Sequence, residues 1–170
     1  MEEHKKAIEF KIGVITVSTS RFKKYGRVRG IKNIPNDDES GRLLLENLPN
    51  VCEYLLVPDS IEEIRRAVYE ILDDVDALVL TGGTGISPKD VTIEAIEPIV
   101  DKKIDGFGEI FRTLSYNEIG VDAILSRAFA GVMAQKIVFC LPGSKKAVKL
   151  GTEIIKKTIV HLISHAKGLA

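Results

Sequence analysis

The chain has 170 residues, enough for one domain with a hydrophobic core but too few for two domains of ordinary size. Its 24 basic and 24 acidic residues give a formal net charge of +0, and only 6% of residues are aromatic, so we expect neither a sequence-wide attraction to nucleic acid nor a base-stacking surface. No apolar run approaches the length of a membrane span, and the charged N-terminus lacks the apolar core of a signal peptide. These features predict a cytoplasmic protein that binds neither nucleic acid nor membrane.

The first half of the chain alternates strand-like and helical patterns. It predicts, in chain order, a strand at 10–17, a helix at 42–48, a strand at 51–57, a helix at 61–72 and a strand at 76–81. Asp38 and Ser40 are the two candidates for the N-cap of the first helix, and Ser60 with Glu63 forms a capping box at the second. Residues 18–36 form a long basic connection, which we expect to be a solvated, mobile loop, with a lid over an anionic substrate as the alternative.

The second half predicts helices at 91–100 and 108–118, strands at 130–133 and 136–141, and a final helix at 145–166. Ile110, Phe111 and Leu114 are expected to face inward from the second of these helices, and Ala134 with Gln135 forms the turn between the two strands. Strands that alternate with helices imply right-handed β-α-β units. The chain is therefore predicted to fold as one three-layer α/β domain over residues 1–170, with a mainly parallel sheet flanked by helices.

The two cysteines, Cys52 and Cys140, both lie in apolar, strand-like runs. Each is expected to be a small buried hydrophobic residue, and the pattern does not support a disulfide framework. Together with the composition, this favours a cytoplasmic protein.

A glycine-rich segment, LTGGTGISPKD at 80–90, follows a predicted buried strand. It lacks the lysine and spacing of a P-loop, and Pro88 stands where a dinucleotide fingerprint requires glycine. Glycines still let backbone N–H groups approach an anion beside the start of a helix, although they can equally serve only to shape a tight turn. Pro142-Gly143-Ser144, the PGS turn, also joins a strand to a helix. Parallel strands place such turns at one sheet edge, so the two are predicted to converge there.

Two acidic residues, Asp59 and Asp90, follow strands at the same predicted edge. Taken singly, Asp59 is best explained as a carboxylate that the dipole of the following helix stabilises, and Asp90 as the N-cap of the next helix. Together, beside phosphate-binding loops, they match what Mg²⁺ on a polyphosphate requires, since Mg²⁺ takes one or two carboxylates plus phosphate oxygens and water.

Four motifs carry a resemblance to a known family. LTGGTGISPKDVTIEAI, GFGEIFRTLSYNEIG, AILSRAFAG and FCLPGSKKA, in this order and spacing, resemble the MoaB/MogA family of molybdenum cofactor biosynthesis proteins, and their details look closer to the MoaB branch. The resemblance covers nearly the whole chain. It implies a MogA-like α/β fold and a Mg²⁺- and ATP-dependent adenylyltransferase, in which the terminal phosphate of molybdopterin attacks the α-phosphate of ATP and pyrophosphate is released.

The resemblance also implies roles for individual residues. Asp59 and Asp90 would be catalytic, binding Mg²⁺ and positioning the nucleotide. The nucleotide phosphates would contact the glycine loop, which consists of Thr81, Gly82, Gly83, Thr84 and Gly85, with Ser18 as a lesser candidate. The molybdopterin phosphate or the triphosphate would contact Pro142, Gly143, Ser144 and Lys145, with Ser126 and Arg127 as lesser candidates. For Arg127, a plain surface ion pair is an equal alternative.

The resemblance further implies a homo-oligomer and leaves rival functions open. Family members form trimers, and the MoaB branch is associated with hexamers built from two trimers; the product would pass to a metal-insertion protein. The alternatives are a non-catalytic molybdopterin carrier, an oligomeric scaffold, or a nucleotide-binding domain with another substrate. Some MoaB-branch members that lack the aspartate matching Asp59 are suspected to be inactive, so the presence of Asp59 and Asp90 favours the enzyme.

Overall fold

Seven strands form one mixed sheet in the computed structural model, which describes residues 8–170. They are β1 (Ile12–Val17), β2 (Val28–Arg29), β3 (Val51–Val57), β4 (Ala77–Thr81), β5 (Lys102–Lys103), β6 (Phe129–Met133) and β7 (Lys136–Leu141). Their order across the sheet is β2-β3-β1-β4-β7-β6-β5. The four central strands, β3, β1, β4 and β7, are parallel, whereas β2, β6 and β5 run antiparallel to their neighbours. The predicted α/β fold with a mainly parallel sheet is confirmed.

Six α-helices accompany the sheet within residues 8–170. They are α1 (Thr19–Tyr25), α2 (Glu39–Asn47), α3 (Ile61–Ile71), α4 (Thr92–Ile96), α5 (Asp105–Ile119) and α6 (Lys145–Ala166), with short 3₁₀ turns at Ile31–Asn33, Leu72–Asp74, Glu97–Ile99 and Gly120–Leu125. Helices α2, α5 and α6 pack on the sheet face that carries Ile12 and Val14, and α3 and α4 pack on the face that carries Ile15 and Val17. Because side chains alternate along a strand, β1 contributes to both cores, which gives the predicted three layers. The predicted domain start at residue 1 lies outside the described residues, and within them no helix is long and apolar enough to span a membrane.

Several boundaries follow from local signals in the sequence. The predicted caps of α2 and α3, Asp38 and Ser60, each accept a hydrogen bond from a backbone N–H of the first turn. Helix α6 has the predicted bounds, with Ser144 as its N-cap. Ala134 and Gln135 both have positive φ in the two-residue turn between β6 and β7, a conformation that matches the twist of a hairpin.

The prediction of a mobile loop at residues 18–36 is wrong. This segment contains α1, β2 and a 3₁₀ turn. Ion pairs join Asp37 to Arg21 and Lys24, and Glu70 to Arg27 and Arg29. Helix α1 has seven residues and no buried side chain, so no apolar stripe marks it in the sequence.

Helix α5 turns a different face inward from the one predicted. Phe111 is buried as expected, but Ile110 is 55% exposed and Leu114 is 39% exposed. The buried face instead contains Phe107, Phe111 and Ser115, spaced by four residues. The error arises because the helix is apolar on more than one face, so the pattern did not fix its rotation.

The two cysteines are both free and differ in environment. Cys140 is fully buried in β7, and burial raises the pKa of its thiol. Cys52 is exposed, so the prediction of burial is wrong for this residue. It lies among the first three residues of β3, which are less buried than the four that follow.

Candidate functional site

The glycine loop and the PGS turn lie side by side at the carboxyl edge of the sheet. Strands β4 and β7 are adjacent and parallel, so both end there. The Gly82 N–H donates to the Leu141 carbonyl at 3.1 Å, and the Thr81 hydroxyl donates to the Pro142 carbonyl at 3.3 Å. The structure thus brings the two turns together, as the topology predicted, and Thr81 itself is buried.

A pocket of about 380 Å³ lies between these two turns and the C-terminal half of α5. Its polar side is lined by residues 82–85, Asp90 and the PGS turn, and its apolar side includes Phe111, Ile119 and Leu125. The volume lies within the range of small-molecule sites. A polar edge that faces an apolar wall suits a ligand with phosphate at one end and a ring system at the other.

The carbonyl groups of residues 82–85 all accept hydrogen bonds from residues that do not line this pocket. Thr92 donates to the carbonyls of residues 82 and 83, through Oγ1 at 2.8 Å and through its N–H at 2.9 Å. Arg127 donates to the carbonyls of residues 84 and 85, through Nε at 2.9 Å and through Nη2 at 2.6 Å. Neither Thr92 nor Arg127 lines the pocket. The loop is therefore fixed from the side opposite its open surface.

Two glycines of the loop cannot be replaced without strain. Gly82 has a φ of +95° and Gly83 a φ of +66°, values that favour glycine. A Cβ on Gly82 would lie 2.3 Å from the Val17 carbonyl oxygen, and a Cβ on Gly83 would lie 2.5 Å from Thr92 Oγ1. The tight-turn interpretation therefore holds for these positions, and it is compatible with anion binding because the same compactness brings backbone N–H groups close together.

Asp59 lies between the glycine loop and helix α1. Its Oδ2 accepts hydrogen bonds from Thr19 Oγ1 at 2.7 Å and from the Thr19 N–H at 3.2 Å. A Cβ placed on Gly83 would lie 2.8 Å from Asp59 Oδ1, so the other carboxylate oxygen is next to the glycine loop. The helix N-terminus that Asp59 contacts is that of α1, not that of α3, which follows it in the sequence.

Asp90 closes the segment that follows the glycines. Its Oδ2 accepts a hydrogen bond from the Ser87 N–H at 3.1 Å, and a Cβ placed on Gly85 would lie 2.6 Å from the same oxygen. The N-cap of α4 is Val91, so the interpretation of Asp90 as the helix cap is wrong. Asp90 instead holds a turn at the rim of the pocket.

The two aspartates are of the chemical type that binds Mg²⁺ beside phosphates, and only Asp90 is among the residues that line the pocket. They contact different residues of one loop, and within residues 8–170 the Oδ1 atom of each accepts no hydrogen bond. In the same part of the chain, no group of three or more His, Cys, Asp or Glu side chains is arranged to hold a metal alone. A pair of carboxylates with available oxygens beside a phosphate-binding loop is the donor set that Mg²⁺ uses when phosphates and water complete its shell.

The PGS turn begins α6 and is attached to α2. Ser144 Oγ accepts a backbone N–H bond of 3.2 Å as the N-cap. The Gly143 carbonyl accepts a 2.6 Å hydrogen bond from Ser40 Oγ, so Ser40 binds this turn rather than capping α2. Lys145 pairs with Glu39 at 3.0 Å and does not line the pocket. The turn thus presents the positive end of a 22-residue helix to the pocket.

Of the three lesser candidates, Ser126 lines the pocket, whereas Ser18 and Arg127 do not. Ser18 caps α1 by accepting the Arg21 N–H at 3.3 Å. Arg127 forms an ion pair with Glu94 at 2.6 Å, and this contact lowers the pKa of Glu94. The ion pair expected as the alternative for Arg127 is therefore present, and it lies beside the glycine loop.

Sequence reasoning missed the wall that α5 contributes. Phe111, Ser115 and Ile119 line the pocket and are spaced by four residues, the spacing of one helical face. That periodic signal was available in the sequence. It was obscured because Ile110 and Leu114 satisfy a competing apolar pattern.

The chain is similar to known proteins in both sequence and fold. A family profile described as a probable molybdopterin binding domain matches residues 13–161. A probable molybdopterin adenylyltransferase of Methanocaldococcus jannaschii is 43% identical over 166 residues, covering 96% of this chain and 98% of that protein. A molybdopterin adenylyltransferase of Pyrococcus furiosus is 44% identical over 177 residues, covering 98% of each. The crystal structure of the tungsten cofactor synthesizing protein MoaB from Pyrococcus furiosus matches with a TM-score of 0.83 and 41% identity, over 95% of this chain and 99% of that one.

Proposed function

The chain belongs to the molybdopterin-binding domain family, and on that premise we propose that it is a molybdopterin adenylyltransferase in the biosynthesis of the molybdenum or tungsten cofactor. The names and near full-length similarity of its relatives support this activity. The observation that carries the proposal is the pocket, in which the glycine loop and the start of a long helix form one edge opposite an apolar wall. Asp90 lines this pocket, and Asp59 lies next to Gly83 outside its lining.

The reaction requires positioning more than covalent chemistry. A terminal phosphate oxygen of molybdopterin attacks the α-phosphorus of ATP, a new P–O bond forms, and the bond to the β-phosphate breaks to release pyrophosphate. The substrate supplies the nucleophile, so the protein has to align two anions and offset their repulsion. Backbone N–H groups of the glycine loop bind the ATP phosphates, and the start of α6 with Ser144 binds the pterin phosphate. Phe111, Ile119 and Leu125 face the ring system.

Mg²⁺ is the cofactor that the two aspartates favour. Asp59 and Asp90 would hold it through the carboxylate oxygens that make no hydrogen bond within residues 8–170, and its charge would offset that of the phosphates. Asp59 is oriented by Thr19 and Asp90 by the Ser87 N–H, so each carboxylate is fixed before a ligand arrives. Such preorganisation is what a phosphate-transfer site needs.

An exposed apolar surface supports assembly of several copies. Ile110 on α5 is joined by Val121 and Ile124 in the following turn, which are 70% and 81% exposed. Large apolar side chains that are exposed to this extent in neighbouring elements suit an interface between copies of the chain. The chain forms a trimer, or a hexamer of two trimers, through this surface; it works in the cytoplasm and passes its product to a metal-insertion protein. Light scattering on Ile124→Glu should show a smaller particle than the wild type, and an unchanged mass would contradict this assembly.

The activity is tested by incubating the purified chain with molybdopterin, ATP and Mg²⁺ and assaying adenylyl-molybdopterin and pyrophosphate. We expect product from the wild type and none from Asp59→Ala or Asp90→Ala. Asp73→Ala, a change at an exposed acidic residue, is the matched control and should retain full activity. Circular dichroism on each variant separates loss of function from loss of fold.

Other outcomes identify the rival functions. Saturable molybdopterin binding without product would make the chain a carrier or scaffold. ATP binding that does not respond to molybdopterin would indicate a nucleotide-binding domain with another substrate. Full activity in both aspartate variants would remove the role given to the carboxylates.

A further inference from the structure

The direction of the peptide units in the glycine loop is set from outside the pocket. All four carbonyls of residues 82–85 accept hydrogen bonds from Thr92 or Arg127. The peptide bonds of residues 8–170 include no cis bond, and in a trans peptide unit the N–H points away from the carbonyl. The N–H groups of residues 83–86 therefore point away from Thr92 and Arg127, and residues 83–85 line the pocket.

These N–H groups are available to a ligand. Within residues 8–170, the N–H groups of residues 83–86 donate to no other group, whereas the neighbouring N–H of Gly82 is bound to the Leu141 carbonyl. Successive backbone donors that face one side form an anion-binding concavity. The loop thus has a donor side toward the pocket and an acceptor side toward Thr92 and Arg127.

The contacts of Arg127 hold the peptide units of the glycine loop in this orientation. Besides the carbonyls of Thr84 and Gly85, its guanidinium donates to Glu94 through Nη1 at 2.6 Å and through Nη2 at 3.2 Å. Four of its five N–H donors are therefore engaged, and the two-point contact with Glu94 fixes the guanidinium plane. Glu94 is on α4, the same helix whose Thr92 binds the other two carbonyls.

We propose that Arg127 is a positioning residue which, held by Glu94, fixes the direction of the N–H donors of the glycine loop and so sets its affinity for nucleotide phosphates. The identity of the anion rests on the proposed function, whereas the positioning does not. Without Arg127, the carbonyls of Thr84 and Gly85 lose their donors and can turn toward the pocket. Their negative ends would then repel a phosphate.

Two measurements without substrate turnover test this role. The first is the ¹⁵N order parameter of residues 83–86, expected near 0.85 in the wild type and near or below about 0.6 in Arg127→Met. The second is the dissociation constant for inorganic pyrophosphate, which we expect to rise about tenfold in Arg127→Met and less in Arg127→Lys, since lysine restores a donor without the planar fork. Arg66→Met is the control, because among residues 8–170 the Arg66 side chain pairs only with Glu62 and Glu63 of α3.

Changes at Glu94 separate positioning from direct binding of the anion. Glu94→Ala leaves Arg127 charged but without its ion-pair partner, so the positioning role predicts weaker pyrophosphate binding. If Arg127 contacted the anion directly, the affinity for pyrophosphate would stay the same or increase. Exchanging the two side chains, Glu94→Arg with Arg127→Glu, restores an ion pair but removes the Arg127 donors from the carbonyls of Thr84 and Gly85. We expect no recovery of pyrophosphate binding in the exchanged protein. Recovery would show that Arg127 acts only through its ion pair with Glu94 and not through the loop carbonyls. If Arg127→Met fails to fold, Arg127→Lys and Glu94→Ala decide the question.

Kinetics then connect the support to the reaction. In the adenylylation assay, Arg127→Met should raise KM for ATP and lower kcat/KM for ATP about 10²-fold, with KM for molybdopterin nearly unchanged. If the wild type makes no product while Arg127→Met still loosens the loop and weakens pyrophosphate binding, the proposed function fails and the positioning role stands. If the wild type makes product and Arg127→Met matches it in order parameters and in pyrophosphate affinity, the positioning role is overturned.

Discussion

The Thr19 hydroxyl lies between the backbone and the side chain of Asp59, donating a 2.7 Å hydrogen bond to Oδ2 and accepting a 3.0 Å bond from the Asp59 N–H. The Thr19 N–H, at the start of α1, adds a third bond of 3.2 Å to the same oxygen. Asp59 can therefore rotate little, and its Oδ1 stays beside Gly83. The first residue of α1 thus orients a carboxylate that lies 40 residues away in the sequence.

Thr19→Val should impair catalysis more than stability. Valine matches threonine in shape but neither donates to Oδ2 nor accepts from the Asp59 N–H. We expect kcat for adenylylation to fall about tenfold, because a misplaced carboxylate no longer holds Mg²⁺ in the correct position beside the phosphates. The free energy of unfolding should fall by only about 1 kcal/mol, the usual net value of a hydrogen bond.

Steady-state kinetics and urea unfolding of Thr19→Val and Thr19→Ser check this expectation. The serine variant keeps the hydroxyl and should retain nearly all activity. Wild-type kcat in the valine variant would show that Asp59 does not depend on this contact.

Gly82→Ala should destabilise the fold, whereas Gly143→Ala should not. A Cβ at position 82 would meet the Val17 carbonyl oxygen at 2.3 Å on a backbone with a φ of +95°. The positive φ alone costs about 1–3 kcal/mol for a residue other than glycine. At position 143 the nearest atom to a new Cβ is 3.4 Å away and φ lies outside the left-handed region, so the change is tolerated. Chemical denaturation of both variants provides the comparison, and equal stability of the two would contradict the geometry.

The parts of the fold with strong local signals could be predicted from the sequence. Helix α6 follows from its turn residues and apolar spacing, and the cap of α3 follows from Ser60 and Glu63. Helix α1 could not be predicted, since it buries no side chain and depends on contacts such as that between Arg21 and Asp37. Contacts of this kind join residues that are distant in the sequence, so no local sequence pattern predicts them.

The candidate site shows the same division. The convergence of the glycine loop and the PGS turn could be predicted because parallel neighbouring strands end at one edge. The support by Arg127 could not, because its contact with Thr84 spans 43 residues and involves a backbone carbonyl that carries no residue-specific signal. The sequence identifies Arg127 as basic and near the site, but not which side of the loop it occupies.

Tyr54→Phe should weaken the anchoring of α2. Tyr54 is fully buried, and its hydroxyl donates a 2.6 Å hydrogen bond to Oδ2 of Asp38, whose Oδ1 caps the helix. Burial and this bond raise the pKa of Tyr54, so it remains a donor at ordinary pH. Removing the hydroxyl leaves a buried carboxylate oxygen without its partner, which should cost about 1.5–3 kcal/mol. Tyr69→Phe, at a residue that is 56% exposed, should change the free energy of unfolding by less than about 0.5 kcal/mol in the same urea titration.

Asp76 should stabilise the fold in a pH-dependent way. Partial burial acts to raise its pKa, but hydrogen bonds from the Lys167 ammonium and from the Lys11 N–H outweigh that effect and hold the pKa below the ordinary 3.8. Because the pKa is lower in the folded state than in the unfolded chain, the stabilisation is fully present above pH 3.8 and is lost as the pH falls below it. Asp76→Asn should therefore lower the free energy of unfolding by roughly 1–3 kcal/mol at neutral pH, and this difference from the wild type should shrink in acid. Urea unfolding of the wild type and Asp76→Asn, from neutral pH to below 3.8, measures this difference in the free energy of unfolding. Asp73→Asn, a change at an exposed residue, is the control. A difference that stays constant across this pH range would show that the charge of Asp76 contributes nothing to stability.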